Sequence, residues 1–430
     1  MGHTDSMLVG EHTGQMSVQE SAPSQTLTSA SQPRQHHPAK IWIGRAGGVL
    51  FGILLAWFLA EVLLRLLFFS LPPRMQLVLD EVHKTPFSTS KLLPDPIWQP
   101  DTEYLTITRP VHDYTQFGTA EVRFKVSTET LWGSRLAFRT RQELVDRYVD
   151  GVAVGDSFTF CFTDEDRCWV QRLGQLLNRN LINLGIVSTG SISHERVLAH
   201  FGTPLKPPLV IWQWFGNDSN EDYGLASLRG ETTVVSPNPP PPIPAPSWWD
   251  KNSAVYVLLK LYLGSKSQFD ASLQFLDPNL AQKGSIRLAF GRPYLWNAFD
   301  MSLPNNLDGW ARGQQAFLET RDMVESYGGT LVIILMPTKE QVYRDLSGPL
   351  LGQDRLALLD QPYRMMLDFC QQQGLTCIDL LPILQKYAVA GEQLYYTTDM
   401  HLNARGNEVL AQELAAWLDA HPEIFNTKVP

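Results

Sequence analysis

The sequence lacks an excess of basic residues. Its 35 lysines and arginines are outnumbered by 44 aspartates and glutamates, which gives a formal net charge of −9 at pH 7. Non-specific nucleic-acid binding needs a basic surface that neutralises phosphates, so this class is excluded. The sequence also has no P-loop, no dinucleotide-binding glycine fingerprint and no zinc-type spacing of cysteine and histidine. We therefore expect neither a metal nor a cofactor.

Cysteine is scarce, with four residues in a chain of 430. They form two pairs with the same short spacing, Cys161 with Cys168 and Cys370 with Cys377. A disulfide within each pair would require an oxidising compartment. Four buried thiols that pack as small apolar groups are the alternative, and the spacing does not decide between them.

The N-terminal region contains a polar tail followed by an apolar run. Residues 1–40 are rich in polar residues without an apolar period and are predicted to be disordered. Residues 41–71 follow, with an uncharged stretch from Ala46 to Ala60. Glu61 and Arg65 are four positions apart, so they can pair on one helix face. The run exceeds the ~20 residues that a helix needs to cross a bilayer.

The long tail before this run favours a transmembrane signal anchor over a cleaved signal peptide. Arg34, Lys40 and Arg45 precede the apolar stretch. The positive-inside rule then places the tail in the cytoplasm and the remaining chain outside it. The expected location is the cell membrane, with one N-terminal span and an extracytoplasmic domain in the periplasm or at the cell surface.

The rest of the chain divides at Gly151. Residues 72–150 contain short alternating segments that predict a β-rich stem or flank. Residues 151–430 alternate β-branched apolar runs with helical patterns, which indicates a parallel sheet covered on both faces. The predicted strands are Val152–Val154, Leu181–Asn183, Leu209–Trp212, Leu331–Met336 and Thr376–Ile378. The predicted helices are Trp169–Asn178, His194–His200, Trp310–Tyr327 and Tyr363–Gln373.

Residues 219–306 interrupt this alternation and are interpreted as an insertion. They include a proline-rich loop at 237–246 and an apolar helix candidate from Trp248 to Leu263. The insertion could form a lid or substrate groove over the carboxyl edge of the sheet. An ordinary surface excursion is the alternative. Trp248 and Trp249 could lie at the membrane interface or under such a lid.

A Gly155-Asp156-Ser157 turn follows the first predicted strand of the sheet. The carboxyl end of a strand is where open α/β sheets bind ligands, so Ser157 is a candidate nucleophile. Asp156 and Ser157 could instead only cap the next helix. Near the C-terminus, Asp399 and His401 are two positions apart, so the carboxylate could orient the imidazole as a base for a serine. A helix cap and a solvated histidine are the alternatives there.

Two further turns end strands at the same edge of the sheet. Gly185 follows the second predicted strand and Asn217 follows the third. A glycine N–H and an asparagine amide are donors suited to a developing oxyanion. Ordinary strand-end turns are the alternative reading. The four motifs together, each at a strand end or helix start, favour the functional interpretation.

These motifs resemble those of the SGNH (GDSL-like) hydrolases. Gly155-Asp156-Ser157 resembles block I with its nucleophile, Gly185 and Asn217 resemble the block II glycine and block III asparagine, and Asp399 with His401 resembles block V. The short Asp-x-His spacing without a following proline is similar to that of membrane-anchored polysaccharide O-acetyltransferases. The segment from Met336 to Tyr343 also resembles a strand-end segment of the branch that acetylates alginate.

The resemblance implies a three-layer flavodoxin-like fold with about five parallel strands. It also implies acyl-ester chemistry without a metal, with Ser157, His401 and Asp399 as the triad and an oxyanion hole of Ser157, Gly185 and Asn217. The expected function is that of a membrane-anchored serine esterase or O-acyltransferase for acyl esters of an envelope glycan or lipid. The alternatives are a weakly catalytic polysaccharide-binding module and an assembly module of an envelope-polymer export complex.

Overall fold

The computed structural model describes residues 38–71, 75, 79, 82, 97–117, 121–237, 247–263 and 277–426. The expected disordered tail up to position 37, most of 72–96 and the proline-rich loop from 238 lie outside the described residues. By internal contacts the chain divides into residues 1–56 and 57–430.

The first described element is the apolar helix α1, Pro38–Leu66. Within it, Arg45–Leu66 is long and apolar enough to cross a membrane and is the one such helix in the described part of the chain. Leu50, Leu54 and Phe58 on this helix are exposed. The Glu61–Arg65 pair predicted from their spacing is present, with Arg65 Nε 2.9 Å from Glu61 Oε1.

The flank before Gly151 consists of short antiparallel strands, in agreement with the alternating pattern there. Strands β1 and β2 form a hairpin, and β3, β4 and β5 form a three-stranded sheet. The side chains of β4 alternate between exposed and buried over most of its length. These elements are β1 (Trp98–Asp101), β2 (Leu105–Thr108), β3 (Val111–Phe117), β4 (Arg123–Thr130), β5 (Ala137–Phe138) and helix α2 (Gln142–Val145).

The five-stranded parallel sheet is the centre of the chain. Its strands are β6 (Gly151–Val154), β7 (Leu181–Asn183), β8 (Leu209–Trp214), β11 (Thr330–Leu335) and β12 (Thr376–Asp379). Their spatial order is β7-β6-β8-β11-β12, which is the flavodoxin-like order 2-1-3-4-5. The predicted fold class is confirmed. The order reverses between β6 and β8, so a crevice is expected at their carboxyl ends.

Helices cover both faces of the sheet, because alternate strand side chains point to opposite faces. Ala153 and Ile211 face one side and pack with residues of the helices Trp169–Leu177 and Ala404–Asp419. Val154 and Trp212 face the other and pack with residues of the helices Ser191–Val197 and Pro304–Glu325. The helices from the sheet onwards are α3 (Ser157–Phe160), α4 (Trp169–Leu177), α5 (Ser191–Val197), α6 (Asp218–Leu228), α7 (Trp248–Asn252), α8 (Ala254–Leu263), α9 (Pro293–Ala298), α10 (Pro304–Glu325), α11 (Lys339–Val342), α12 (Arg344–Leu351), α13 (Gln353–Gln373), α14 (Leu380–Val389), α15 (Ala404–Asp419) and α16 (Glu423–Asn426).

The segment interpreted as an insertion is only partly separate from the sheet layers. Its first helix, α6, packs against α10, which is the long crossover helix leading into β11. Helix α10 begins at Pro304, inside the predicted insertion and six positions before the predicted start of the helix. The remaining part holds α7, α8 and α9 and an antiparallel hairpin of β9 (Asn279–Lys283) and β10 (Ile286–Phe290).

Both cysteine pairs form disulfides in the structure. Cys161–Cys168 joins the end of α3 to the start of α4, with a Cα–Cα distance of 5.5 Å. Cys370–Cys377 joins the last turn of α13 to β12, with a Cα–Cα distance of 6.2 Å. The alternative of buried free thiols is therefore wrong for both pairs.

Candidate active site

The serine turn leaves the carboxyl end of β6 through a crowded glycine. A Cβ on Gly155 would lie 2.6 Å from Gln213 Oε1, so a side chain there would force the Gln213 side chain of the neighbouring strand β8 to move. Asp156 caps α3, since its side chain accepts a hydrogen bond from the Phe158 N–H at 2.9 Å. Ser157 is the first residue of α3, where the N–H has no partner within the helix. The capping reading of Asp156 is correct and leaves the Ser157 hydroxyl available for other contacts.

The Ser157 hydroxyl contacts an imidazole from the far end of the chain. Ser157 Oγ lies 2.7 Å from His401 Nε2, although the two residues are 244 positions apart. On the other side of the ring, His401 Nδ1 lies 2.5 Å from Asp399 Oδ1. The ring of His401 is held between Phe158 and Phe162, with centroid distances of 4.8 and 4.1 Å. The structure therefore brings Ser157, His401 and Asp399 into one hydrogen-bonded row.

The loop before α15 provides this geometry without using Asp399 as a helix cap. The cap of α15 is Asn403, whose side chain accepts hydrogen bonds from the Arg405 and Gly406 N–H groups. Asp399 Oδ1 accepts instead from the backbone N–H of His401 at 2.9 Å, which closes a tight turn. The alternative reading, in which Asp399 caps the last long helix, is therefore wrong.

A buried ionic cluster that the sequence did not reveal supports this loop. Lys339 Nζ donates to the carbonyls of Thr397 and Asp399 and lies 2.7 Å from Asp277 Oδ2. Arg292 donates to the Thr398 carbonyl at 3.0 Å. Lys339, Asp277 and Arg292 are each at most 5% exposed. Each residue comes from a different segment, so no local sequence pattern marked the cluster.

Arg292 also acts on the carboxylate that faces His401. Its Nη2 lies 3.7 Å from Asp399 Oδ2. Burial alone would raise the pKa of Asp399, but the opposing interactions with His401 and Arg292 outweigh it and lower the pKa well below the usual range. Asp399 is thereby kept ionised, which is the state that can hold an imidazolium.

We expect Arg292→Gln to raise the pKa of Asp399, because a cation 3.7 Å from the carboxylate is removed. The acid-side loss of activity that comes from protonating Asp399 should then begin at a higher pH than in the wild type. Initial rates of acetyl-ester hydrolysis, measured from about pH 3 to about pH 8, test this. Arg344→Gln removes a comparable cation from a remote pair with Asp360 and is the matched control. Identical pH profiles for Arg292→Gln and Arg344→Gln would contradict the role of Arg292.

The predicted oxyanion donors follow strands on either side of β6. Gly185 comes after β7, and its N–H donates to Asn183 Oδ1 at 2.9 Å. A Cβ on Gly185 would lie 2.4 Å from the backbone nitrogen of Phe160, so glycine is needed for the close approach to α3. Asn217 comes after β8, at the start of α6. Its amide donates to Glu221 Oε1 at 3.0 Å and lies 3.2 Å from Tyr294 Oη.

Four buried carboxyl groups lie at the carboxyl edge of the parallel sheet or next to it. Burial raises the pKa of Asp156 to about 6 and that of Asp222 to about 8. Burial, reinforced by the neighbouring carboxylates, raises the pKa values of Asp218 and Glu221 well above the usual range. At neutral pH these groups are therefore held largely in the neutral form, except Asp156.

The acid group Asp222 predicts a pH dependence of stability. Its folded pKa of about 8 lies above the unfolded aspartate value of about 3.9, so the folded state binds more protons in this window. The free energy of unfolding should fall as pH rises through it. Asn mimics the neutral carboxyl, so the melting temperature of Asp222→Asn relative to that of the wild type should be higher near pH 9 than near pH 5, by about 3 °C or more. Thermal unfolding of the detergent-solubilised chain measures this.

The control for this measurement is Asp322→Asn, which alters a surface carboxylate that is 69% exposed and pairs with Arg321. It should leave the difference from the wild type independent of pH. A constant melting difference for Asp222→Asn across the range would contradict the buried-acid interpretation.

The C-terminal part of the chain matches a known protein family. Residues 297–428 match the family model described as the SGNH hydrolase-like domain of acetyltransferase AlgX. Over these residues the chain is similar to an SGNH hydrolase-like domain. The family resemblance inferred from the sequence motifs is confirmed. The matched residues include Asp399 and His401 but begin after Ser157.

A curated relative matches a limited part of the chain. The protein described as "Probable alginate O-acetylase AlgJ" of Pseudomonas putida is 30% identical over 115 residues, which cover 25% of this chain. The chain spans 29% of the length of that relative.

Solved structures give distant similarities. A catalytic mutant of an acetylxylan esterase from Geobacillus stearothermophilus is 13% identical, with a TM-score of 0.31, covering 65% of this chain and 94% of its own. An alpha/beta hydrolase from the Lake Arreo metagenome in Spain is also 13% identical, with a TM-score of 0.31, covering 62% of this chain and 93% of its own. Nothing about this chain is inferred from these two structures.

Proposed function

We propose that the chain is a membrane-anchored serine esterase or O-acyltransferase, acting on acyl esters of a cell-envelope glycan or lipid. The observation that carries the proposal is the row from Ser157 Oγ through His401 to Asp399. Such a row serves to remove a proton from a hydroxyl that is otherwise a poor nucleophile. The relatives are named for acetyl transfer, which makes acetyl the acyl group to test first.

The proposed reaction is a double displacement. His401 Nε2 takes the proton from Ser157 as Oγ attacks the acyl carbonyl, and the carbonyl oxygen becomes an oxyanion. The tetrahedral intermediate collapses when His401 gives that proton to the departing alcohol, leaving an acyl-serine. Water or a sugar hydroxyl then attacks the acyl-serine and loses its proton to His401. His401 returns this proton to Ser157 Oγ as the acyl product leaves. Asp399 holds the Nδ1–H throughout and stabilises the cationic ring.

The oxyanion is assigned to three donors around the reversal of strand order. The Ser157 N–H is the first of α3. The Gly185 N–H comes from the turn behind it and would exchange its acceptor, Asn183 Oδ1, for the oxyanion. Asn217 has two N–H groups, of which Glu221 holds one. The second N–H approaches Tyr294 Oη, which an oxyanion would replace as its acceptor.

The proposed location rests on two separate features. Helix Arg45–Leu66 has the length and apolar composition of a membrane span. The two disulfides are typical of an oxidising compartment, which agrees with a catalytic domain outside the cytoplasm. An acylated glycan or lipid of the envelope would then be the substrate, and a polymer-biosynthesis complex in the same membrane a candidate partner.

The test is an acetyl-ester assay on the full chain in detergent, run with and without an oligosaccharide acceptor. Release of acetate without acceptor supports an esterase. Acetylated oligosaccharide formed at the expense of acetate supports a transferase. Failure of both, together with no labelling by a serine-directed fluorophosphonate, would overturn the proposal in favour of a non-catalytic binding module.

A further inference from the structure

Glu61 and Arg65, near the C-terminal end of the apolar helix α1, both contact the start of α8 or the residue range before it. The Glu61 carboxylate accepts hydrogen bonds from the Ala254 and Val255 N–H groups at 2.9 and 3.1 Å, and from the Ser253 hydroxyl at 3.1 Å. These are the first N–H groups of α8, which have no partners within that helix. A carboxylate there is also favoured by the helix dipole. Glu61 therefore caps a helix that lies 193 positions later in the chain.

Arg65 also contributes to the contact between α1 and the start of α8. It pairs with Glu61 and also donates to the carbonyls of Val82 and Asn252, at 2.9 and 2.8 Å. Apolar side chains surround the pair, with Phe68, Leu79, Val82 and Ala254 forming a small buried cluster. The last turns of α1 and the start of α8 are thus joined by both ionic and apolar contacts.

Helices α7 and α8, called here the surface helix pair, expose an unusual amount of apolar and aromatic surface. Trp248 and Trp249 are 59% and 51% exposed, and Tyr262 and Leu263 are 86% and 75% exposed. With Leu259, they make five of the fourteen large hydrophobic residues that are exposed beyond Leu67 in the described part of the chain. Isolated exposed hydrophobics are ordinary, but a group this dense marks an interaction surface.

The charges on the surface helix pair partly cancel one another. Lys260 Nζ on α8 lies 2.6 Å from Asp250 Oδ1 on α7. Trp248 and Trp249 contact each other, and Trp249 also contacts Tyr256, with a centroid distance of 6.1 Å. Tryptophan and tyrosine are the residues that concentrate where a bilayer meets water, because their rings are apolar and carry one polar group.

We propose that the surface helix pair lies in the lipid–water interface and forms a second membrane contact beside α1. The occupant is lipid because the pair is fixed to the end of the apolar helix, and most side chains of that helix from Arg45 onwards are exposed. A membrane that contains α1 therefore has its surface at the level of Glu61 and α8. The inference rests on the proposed membrane anchor.

Position-specific quenching in lipid tests this inference. The full chain is placed in phosphatidylcholine–phosphatidylglycerol nanodiscs that contain phosphatidylcholine spin-labelled near the headgroup or, in a parallel sample, near the end of the acyl chain. A nitrobenzoxadiazole fluorophore is attached without reductant at Tyr262→Cys, at Leu55→Cys in the middle of the apolar span, or at Val389→Cys. Val389 is 89% exposed on α14 and serves as the aqueous control. We expect strong quenching of Tyr262→Cys by the headgroup label, strong quenching of Leu55→Cys by the acyl-chain label, and none of Val389→Cys by either.

The labelled positions separate the two possible failures. Quenching at Leu55→Cys with none at Tyr262→Cys would overturn the interfacial contact and leave the anchor intact, as for a pair that serves a protein partner. No quenching at Leu55→Cys would overturn both. Glu61→Ala should remove quenching at Tyr262→Cys while Leu55→Cys stays quenched, whereas Leu63→Ala, an exposed change on the same helix, should alter neither. Unchanged Tyr262→Cys quenching in Glu61→Ala would refute the role of the cap.

Discussion

Ser157→Ala is expected to abolish turnover of an acetyl ester, with a loss in kcat on the order of 10⁴-fold or more. The reason is that Ser157 Oγ is the oxygen that His401 Nε2 contacts at 2.7 Å, and no covalent acyl intermediate can form without it. The assay is the initial rate of acetate release by the full chain. Labelling by a fluorophosphonate should disappear in the same variant.

Ser326→Ala is the matched control for this experiment. Ser326 is an exposed serine at the end of α10, and its hydroxyl donates to the Met323 carbonyl. It should keep wild-type turnover and labelling. Retained turnover in Ser157→Ala, with the melting temperature unchanged, would mean that another residue is the nucleophile or that the row of contacts is not used in catalysis.

Asn217→Ala is expected to lower kcat about 100–1000-fold, the usual effect of removing one oxyanion donor. KM should change little, because the charge that the amide stabilises develops only in the transition state. Steady-state kinetics on a soluble acetyl ester measures the two constants separately. The expected result is a decrease confined to kcat.

The control for Asn217 is Asn220→Ala, one turn further along α6. The Asn220 amide donates to Asn306 Oδ1, so its loss also removes one hydrogen bond from the same helix. Its kcat should remain within a small factor of the wild type. If both variants lost the same activity, the effect of Asn217 would come from disturbing α6, and the oxyanion assignment would be wrong.

The sheet could be predicted from the sequence because its strands are buried on both faces. Continuous apolar runs such as Leu209–Trp212 are then the signal, and every predicted strand matches an observed one to within one or two residues. The starts of helices were harder to predict from the sequence. Helix α10 begins before its predicted position because its first turns are polar and do not extend the apolar period. Helix α13 also begins before its predicted position, and it contains Pro362, a residue type that usually marks a helix boundary.

The candidate site also contains residues that the sequence identifies and residues that it does not. Ser157, Asp399 and His401 belong to short local motifs, so the sequence identified them, and the structure shows them in contact. The supporting cluster of Asp277, Arg292 and Lys339 has no local motif, because its members are brought together only by the β9–β10 hairpin and α11. Lys339 lies in the segment from Met336 to Tyr343, whose resemblance to the family indicates no role for this residue.

The distance along the chain between Ser157 and His401 has a consequence for biosynthesis. A ribosome releases residue 157 long before residue 401, so a partly translated chain already has the serine hydroxyl but not the imidazole. In the proposed mechanism, such a nascent chain is inert towards esters. Reactivity requires the segment around His401 to dock beside Ser157, at the carboxyl end of β6.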